Sequence, residues 1–142
     1  MAVAEGGAFT LAASAARTSG ANGTAVVVGG WRRAVVLLSV TASATDAGDT
    51  LDVYVDVLAP DGATWLNAIH FAQQAGNGAA KKEFAVLDPS NPGTSSIAVT
   101  ADAAAGAVRP ALFGPQMRAR WAIADSGDGN SSHTFAVTAY LA

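Results

Sequence analysis

The chain contains no cysteine, so disulfides, thiolate catalysis and cysteine-ligated zinc or iron–sulfur sites are excluded together. It is also poor in charge, because Asp, Glu, Lys and Arg make up only 13% of its 142 residues. Globular proteins typically contain about 25% charged residues. The formal net charge is −3, and the eight basic residues are dispersed. Since nucleic-acid binding needs a clustered basic face, we expect no nucleic-acid partner.

Long apolar runs are missing as well. No stretch approaches the ~20 apolar residues that a membrane span needs. The first twenty residues include Glu5 and no early basic residue, which is a poor match to a secretory signal. We therefore expect a soluble protein that is made in the cytoplasm and has no membrane partner. Alanine, with 34 residues, supplies most of the apolar content, so the side chains are small.

Residues 1–23 are rich in Ala, Gly, Ser and Thr, and Phe9 and Leu11 are their only sizeable apolar side chains. This composition predicts a flexible N-terminal arm over 1–23. The arm is either a frayed terminus or a segment that docks on a neighbouring subunit. The rest of the chain, 24–142, is predicted to form a single β-sandwich domain.

Short apolar or alternating runs, separated by Gly, Pro, Asn and Asp clusters, follow one another from residue 24 onward. They predict strands at 24–29, 31–45, 50–58, 63–73, 82–87, 95–101, 117–125 and 133–141. About eight short strands with turn residues between them are typical of an all-β antiparallel sandwich, here a jelly-roll-like one. In the second run both faces are apolar over 35–40. That strand should be covered on both sides or lie against a partner.

The run TLDVYVDVLAPDGATW at 50–65 raises the question of a carboxylate site. In a strand, Asp52 and Asp56 would share one face with Tyr54, roughly 13 Å apart at ~3.3 Å per residue. The paired carboxyl groups of glycosidases lie only ~5–9.5 Å apart. The pattern therefore predicts a solvated outer face rather than paired catalysis, with Asp49 and Asp61 in turns that they cap locally.

Other candidate chemistries are also weakly supported. His70 and His133 are isolated from any metal-ligand spacing, and Ser131 or Ser132 beside His133 lacks a nucleophile elbow. The loop at 125–130 indicates a hairpin turn, although a calcium site shared with another loop stays open. We expect no catalytic, cofactor-binding or metal-binding residue and no enzymatic activity.

Three tryptophans allow one further alternative. Trp31, Trp65 and Trp121 could form a platform on which a sugar ring stacks. Tryptophans spread over a sandwich are otherwise typical of core and rim packing.

Five fragments of strand and turn sequence stand out: VTA at 40–42, TLDV at 50–53, DGATW at 61–65, RARW at 118–121 and TFAV at 134–137. In this order they resemble a group of small β-sandwich virion proteins of tailed bacteriophages. The resemblance covers two blocks, 37–73 and 114–142. The N-terminal arm and residues 74–113 lie outside it.

The resemblance implies a capsid decoration or cement protein on the outer surface of the phage head. Such a protein would be made in the bacterial host cytoplasm, bind the major capsid protein at junctions between subunits, and associate with itself as a homotrimer. A neck or tail accessory protein, or a carbohydrate-binding virion domain with a glycan as ligand, is the alternative. The expected contacts with other subunits are made by Phe9, Leu11, Trp31, Arg32 and Arg33.

Overall fold

The computed structural model describes residues 7–127 and 129–142, and these residues form eleven β-strands in two antiparallel sheets. The strands are β1 (Gly7–Arg17), β2 (Ala21–Asn22), β3 (Val26–Val27), β4 (Ala34–Ala42), β5 (Thr50–Leu58), β6 (Trp65–His70), β7 (Gln74–Ala75), β8 (Lys81–Leu87), β9 (Ala107–Val108), β10 (Gln116–Ala124) and β11 (His133–Leu141). The predicted all-β antiparallel sandwich is confirmed. The number of strands exceeds eight because β2, β3, β7 and β9 are two residues long.

The first sheet, here called sheet A, has the strand order β1-β11-β4-β8. The second, sheet B, has the order β2-β10-β5-β6-β9, with β3 also paired to β10 and β7 to β5. Within the described part of the chain, no helix is long and apolar enough to cross a membrane.

The core lies between the two sheets, because alternate side chains of each strand point inward. The strand predicted at 133–141 forms β11, and its alternate residues Phe135, Val137, Ala139 and Leu141 are buried. The inner faces of β4, β5 and β10 add Val36, Leu38, Val40, Leu51, Val53, Val55, Val57, Met117, Ala119 and Trp121.

The hairpin from β5 to β6 follows the predicted turn chemistry. The Oδ1 atom of Asp61 accepts the backbone N–H groups of Ala63 and Thr64, each at 2.9 Å. Hydrogen bonds from Thr64, together with the one from Ala63, lower the pKa of Asp61 to about 2. Gly62 supplies the positive φ of 72° that the turn requires.

The expectation of a flexible arm is wrong for residues 7–17. These residues form β1, which pairs with β11 from Gly7 opposite Leu141 to Arg17 opposite His133. The guanidinium of Arg17 lies 4.6 Å from the ring centre of Trp121 and donates a 2.8 Å hydrogen bond to the carbonyl of Phe135. The segment is therefore part of the sandwich, and residue 24 is no domain boundary. Residues 1–6 lie outside the described part of the chain.

The strand predicted at 95–101 is also wrong. This segment is an exposed part of the loop between β8 and β9, and Ile97 and Val99 are open to solvent. Local alternation indicates which residues could pair, but it does not show whether a neighbouring strand is available. The strand predicted at 24–29 shortens to β3 for the same reason.

Candidate functional site

The outer face of sheet B carries a polar cluster built from β5, β10 and β6. Asp56 is 2% exposed and accepts two hydrogen bonds from Arg120, at 2.9 Å from Nε and 3.2 Å from Nη2. The amide of Asn67 donates a third at 3.2 Å, and Nε of Arg118 lies 3.5 Å from Oδ2. The predicted solvated outer face is therefore wrong at Asp56. The cause is antiparallel pairing, which brings both arginines of β10 beside it.

Arg120 joins this carboxylate to a second one in the loop before β9. Its Nη2 atom lies 2.7 Å from Oδ1 of Asp102, and its guanidinium lies 4.0 Å from the ring centre of Tyr54. Burial alone would lower the pKa of Arg120, but the hydrogen bonds to Asp56 and Asp102 raise it above its ordinary value. The arginine therefore stays a cation that ties β5, β10 and this loop together.

His70 and Asp52 form a second group on the same face. Nε2 of His70 lies 2.8 Å from Oδ1 of Asp52, and Nδ1 lies 2.8 Å from the carbonyl of Ala103. Gln73 donates to the other oxygen of Asp52 at 2.9 Å, and the Tyr54 ring stacks on the imidazole at 4.2 Å. Both ring nitrogens are occupied by Asp52 and Ala103, so neither lies open to a substrate. The geometry is that of a structural contact.

The loop between β8 and β9 is held to sheet B by these side chains. The backbone N–H of Ala103 donates to Oδ1 of Asn67 at 2.8 Å, while its carbonyl faces His70. Nη1 of Arg109 donates to the carbonyls of Asn67, at 2.9 Å, and Ala101, at 2.8 Å. We call residues 101–103 with these contacts the loop latch. The polar cluster therefore fixes a loop.

A second pair of ionisable side chains is fully buried at one end of the sandwich. Asp49, expected in a locally capped turn, accepts the backbone N–H of Ser126 at 2.7 Å through Oδ1. Nδ1 of His133 accepts the backbone N–H of Ala44 at 3.3 Å. Among the residues that the structure describes, Oδ2 of Asp49 and Nε2 of His133 find no hydrogen-bond partner. Burial lowers the pKa of His133, and the Asp49 charge opposes that shift.

The two alternatives that involve Ser131 and the loop at 125–130 are not assembled into sites. The hydroxyl of Ser131 donates to the carbonyl of Thr18 at 3.3 Å rather than to His133. Asp125 accepts the N–H groups of Gly127, at 2.8 Å, and Gly129, at 3.3 Å, as a turn residue does. Among the residues that the structure describes, no three acidic or histidine side chains are grouped to hold a metal ion. Asp128 is outside the described residues.

The three tryptophans do not share a platform. Trp121 belongs to the core, and its indole N–H donates to the carbonyl of Ser19 at 3.1 Å. The guanidinium of Arg118 covers Trp65 at 4.2 Å from the ring centre, and Trp31 packs edge-on against Phe9 at 6.1 Å. Each ring therefore serves local packing.

Large apolar side chains lie exposed on the outer face of sheet A. Phe84 and Val86 of β8 are 68% and 40% exposed, Val35 of β4 is 40% exposed, and Tyr140 of β11 is 51% exposed. The sheet register places these four residues, together with Leu37 and Thr138, in two neighbouring rows across the strands. The rows are Tyr140–Val35–Val86 and Thr138–Leu37–Phe84. We call these six residues the apolar rows. They agree with the doubly apolar pattern seen at 35–40.

The five residues expected to contact other subunits differ in their exposure to solvent. Leu11 is 3% exposed in the core, so it is not available to another subunit and that expectation is wrong. Phe9 and Trp31 are half-buried against each other. Arg32 and Arg33 are exposed at the start of β4, where their backbone N–H groups donate to the carbonyl of Ala142.

Sequence reasoning missed Phe84, Val86 and Tyr140 as contact candidates. Their signal is present, because in β8 and β11 these residues fall on the opposite alternation from the buried ones. These residues can be recognised as one surface only when the register shows that β8, β4 and β11 are neighbours.

Comparison with protein-family models, with curated proteins and with solved structures finds no match for this chain. The geometry of its two outer faces therefore carries the functional argument.

Proposed function

We propose that this chain is a non-enzymatic structural protein of a tailed-phage virion, a decoration or cement protein that binds the outside of the head. The observation that carries the proposal is the band of apolar rows on sheet A. Burying it against other subunits would tie those subunits together. The major capsid protein and further copies of this chain are the proposed partners.

The apolar rows have the composition of a protein contact. Their central side chains are aliphatic or aromatic, and Phe84 is mostly exposed in the isolated chain. The cores of protein interfaces are depleted in charge and enriched in aromatic residues such as Tyr and Phe. Exposed apolar patches of several hundred Å² usually mark a site of interaction.

The opposite face supports a structural role over a catalytic one. The polar groups on sheet B bind one another: Arg120 joins Asp56 to Asp102, and His70 is held between Asp52 and a backbone carbonyl. A general base needs a nitrogen or oxygen within reach of a substrate proton. Here those atoms hold the loop latch.

The placement on a phage head rests on the resemblance of the two blocks 37–73 and 114–142. These blocks include β5, β6, β10 and β11 whole. The neck or tail of the same virion is the alternative location, since the apolar rows would serve a contact there equally well.

The test is co-sedimentation of the purified chain with empty shells of the major capsid protein from the same virus. The wild-type chain is expected to pellet with the shells and to raise the temperature at which they fall apart. Phe84→Lys should lose this binding, and Val27→Lys is its matched control, since Val27 is 73% exposed on β3 of sheet B. Failure of the wild-type chain to bind or stabilise shells would rule out the cement function.

A further inference from the structure

We propose that a second copy of this chain covers the apolar rows, with the outer faces of the two A sheets packed together about a twofold axis. The axis lies between the sheets and runs across the strands, so that the two β8 strands are antiparallel. This inference rests on the proposed function, because it names what covers the same face. It replaces the threefold assembly that the resemblance implies with a twofold one.

The size of sheet A suits such a contact. It has four strands, and β4 and β11 are nine residues long. At ~4.8 Å between strands and ~3.3 Å per residue, the face measures about 19 by 30 Å. A plane of about 570 Å², enlarged by projecting side chains, approaches the ~800 Å² per partner of a stable interface. Two sheets packed face to face lie ~10 Å apart, which side chains such as Phe84 can fill.

The register makes the face complementary to itself. The rows Tyr140–Val35–Val86 and Thr138–Leu37–Phe84 are neighbours at the middle of the sheet. A twofold axis between these rows places Phe84 of one copy opposite Val86 of the other. It likewise places Val35 opposite Leu37. In β4 and β8, each apolar residue of the two rows therefore lies opposite an apolar residue of the other copy.

The charges at the two ends of the face decide the direction. A shallow hollow at one end is lined by Arg33 and Asp88 together with Val35, Val86 and Tyr140. At the other end Lys82 lies beside Ser39. With antiparallel β8 strands, Lys82 of each copy lies opposite Asp88 of the other, and Arg33 lies opposite Ser39. A twofold axis along β8 itself would leave the two β8 strands parallel, with Lys82 facing Lys82 and Asp88 facing Asp88, which is repulsive.

The first experiment is sedimentation equilibrium of the full chain alone, without shells, over a range of concentrations. A mass of about twice the 14.1 kDa of one chain is expected. Phe84→Lys should raise the dissociation constant more than about tenfold, because it buries an unpaired charge in the interface. Val27→Lys should leave the constant unchanged, since Val27 lies on sheet B.

The second experiment tests the orientation by charge reversal. Lys82→Glu should weaken the dimer, and combining it with Asp88→Lys should restore wild-type affinity. Because Asp88 also accepts hydrogen bonds from Ser90, a chain carrying Phe84→Cys is mixed with one carrying Val86→Cys as an independent check. The natural chain has no cysteine, so a short bismaleimide cross-linker, which spans the ~10 Å between packed sheets, should join the two variants to each other faster than either joins itself.

The possible outcomes separate the two proposals. A monomer at all concentrations, or a trimer, overturns the twofold contact. A monomer that binds shells through Phe84 assigns the face to the capsid protein, which overturns this inference and leaves the proposed function standing. A dimer that ignores shells supports this inference and removes the cement function.

Discussion

Asp56 is a carboxylate withdrawn from solvent between two arginines and an amide. Its hydrogen bonds to Arg120 and Asn67 span three strands of sheet B. A buried ion pair adds little net stability compared with apolar side chains, but removing one partner leaves the other charge uncompensated. Asp56 therefore matters most for what its loss would expose.

Asp56→Ala is expected to lower the free energy of unfolding by about 2–4 kcal/mol, because it leaves the partly buried guanidinium of Arg120 without its carboxylate partner. The measurement is urea unfolding followed by tryptophan fluorescence. Asp102→Ala is the control, since Asp102 binds the same arginine from an exposed position and should cost less than about 1 kcal/mol. Equal losses in the two variants would contradict the buried role of Asp56.

His133 makes stability depend on pH. Burial lowers its pKa in the folded chain, so the unfolded chain binds the proton more readily. Stability from the neutral ring is therefore complete above the unfolded pKa of about 6.5 and declines as the pH falls below it. The decline cannot exceed about 1.4 kcal/mol per pH unit for one proton.

Urea unfolding at pH 8, 7, 6 and 5 checks this expectation. His133→Asn keeps an acceptor for the N–H of Ala44 and removes the titrating ring, so its curve should be flatter than the wild-type curve below pH 6.5. Asp49 and His70 are common to both proteins, and the difference between the curves isolates His133. Parallel curves would show that His133 does not titrate in this way.

At the scale of elements, β1 is a strand that the composition of its own residues does not indicate. The composition of residues 7–17 indicates a flexible arm, because Ala and Ser have little preference for strands. The pairing of β1 with β11 and the burial of Leu11 supply the stability that this local sequence lacks. These interactions join residues far apart in the chain, so no local pattern reveals them.

Leu11→Ala tests whether residues 7–17 form a strand of the sandwich or a loose arm. If β1 is part of the sandwich, the substitution should cost about 2–4 kcal/mol of unfolding free energy, as expected for a buried leucine. Thr10→Ala changes the exposed neighbour in the same strand and should have little effect. A thermal or urea titration measures both, and an unchanged stability in Leu11→Ala would place the segment outside the core.

The loop latch predicts local rather than global change. Arg109→Ala removes the donor that binds the carbonyls of Asn67 and Ala101, so residues 101–103 should open more often. Hydrogen exchange at the amide of Ala103 should accelerate, while the slowest amides of β5 keep their rates. Arg32→Ala serves as the control. Uniform acceleration across the chain would mean that the latch is not a separate unit.

Sequence reasoning succeeded where a property is local and failed where it depends on register. The alternation of β5 and the turn at Asp61 were predicted because neighbouring residues determine both. The site at Asp56 was missed because the strand alone does not show that Arg120 lies beside it. The apolar rows were missed in part because their residues come from three separated strands.

For the whole molecule, self-association should make stability depend on concentration. If two copies share the apolar rows, the melting temperature of the wild-type chain should rise by about 2–4 °C for each tenfold increase in protein concentration. Phe84→Lys should melt at a temperature that does not change with concentration. Calorimetry at several concentrations measures both, and a constant wild-type value would argue for a monomer.

The place of β11 in sheet A has a consequence for how the chain matures on the ribosome. β11 lies between β1 and β4, so neither neighbour can complete its backbone pairing before the residues of β11 have left the exit tunnel. Domains fold as units during or after synthesis. Tyr140, at the edge of the apolar rows, arrives with the same strand. A nascent chain that still lacks β11 therefore has neither a complete sheet A nor the complete apolar rows.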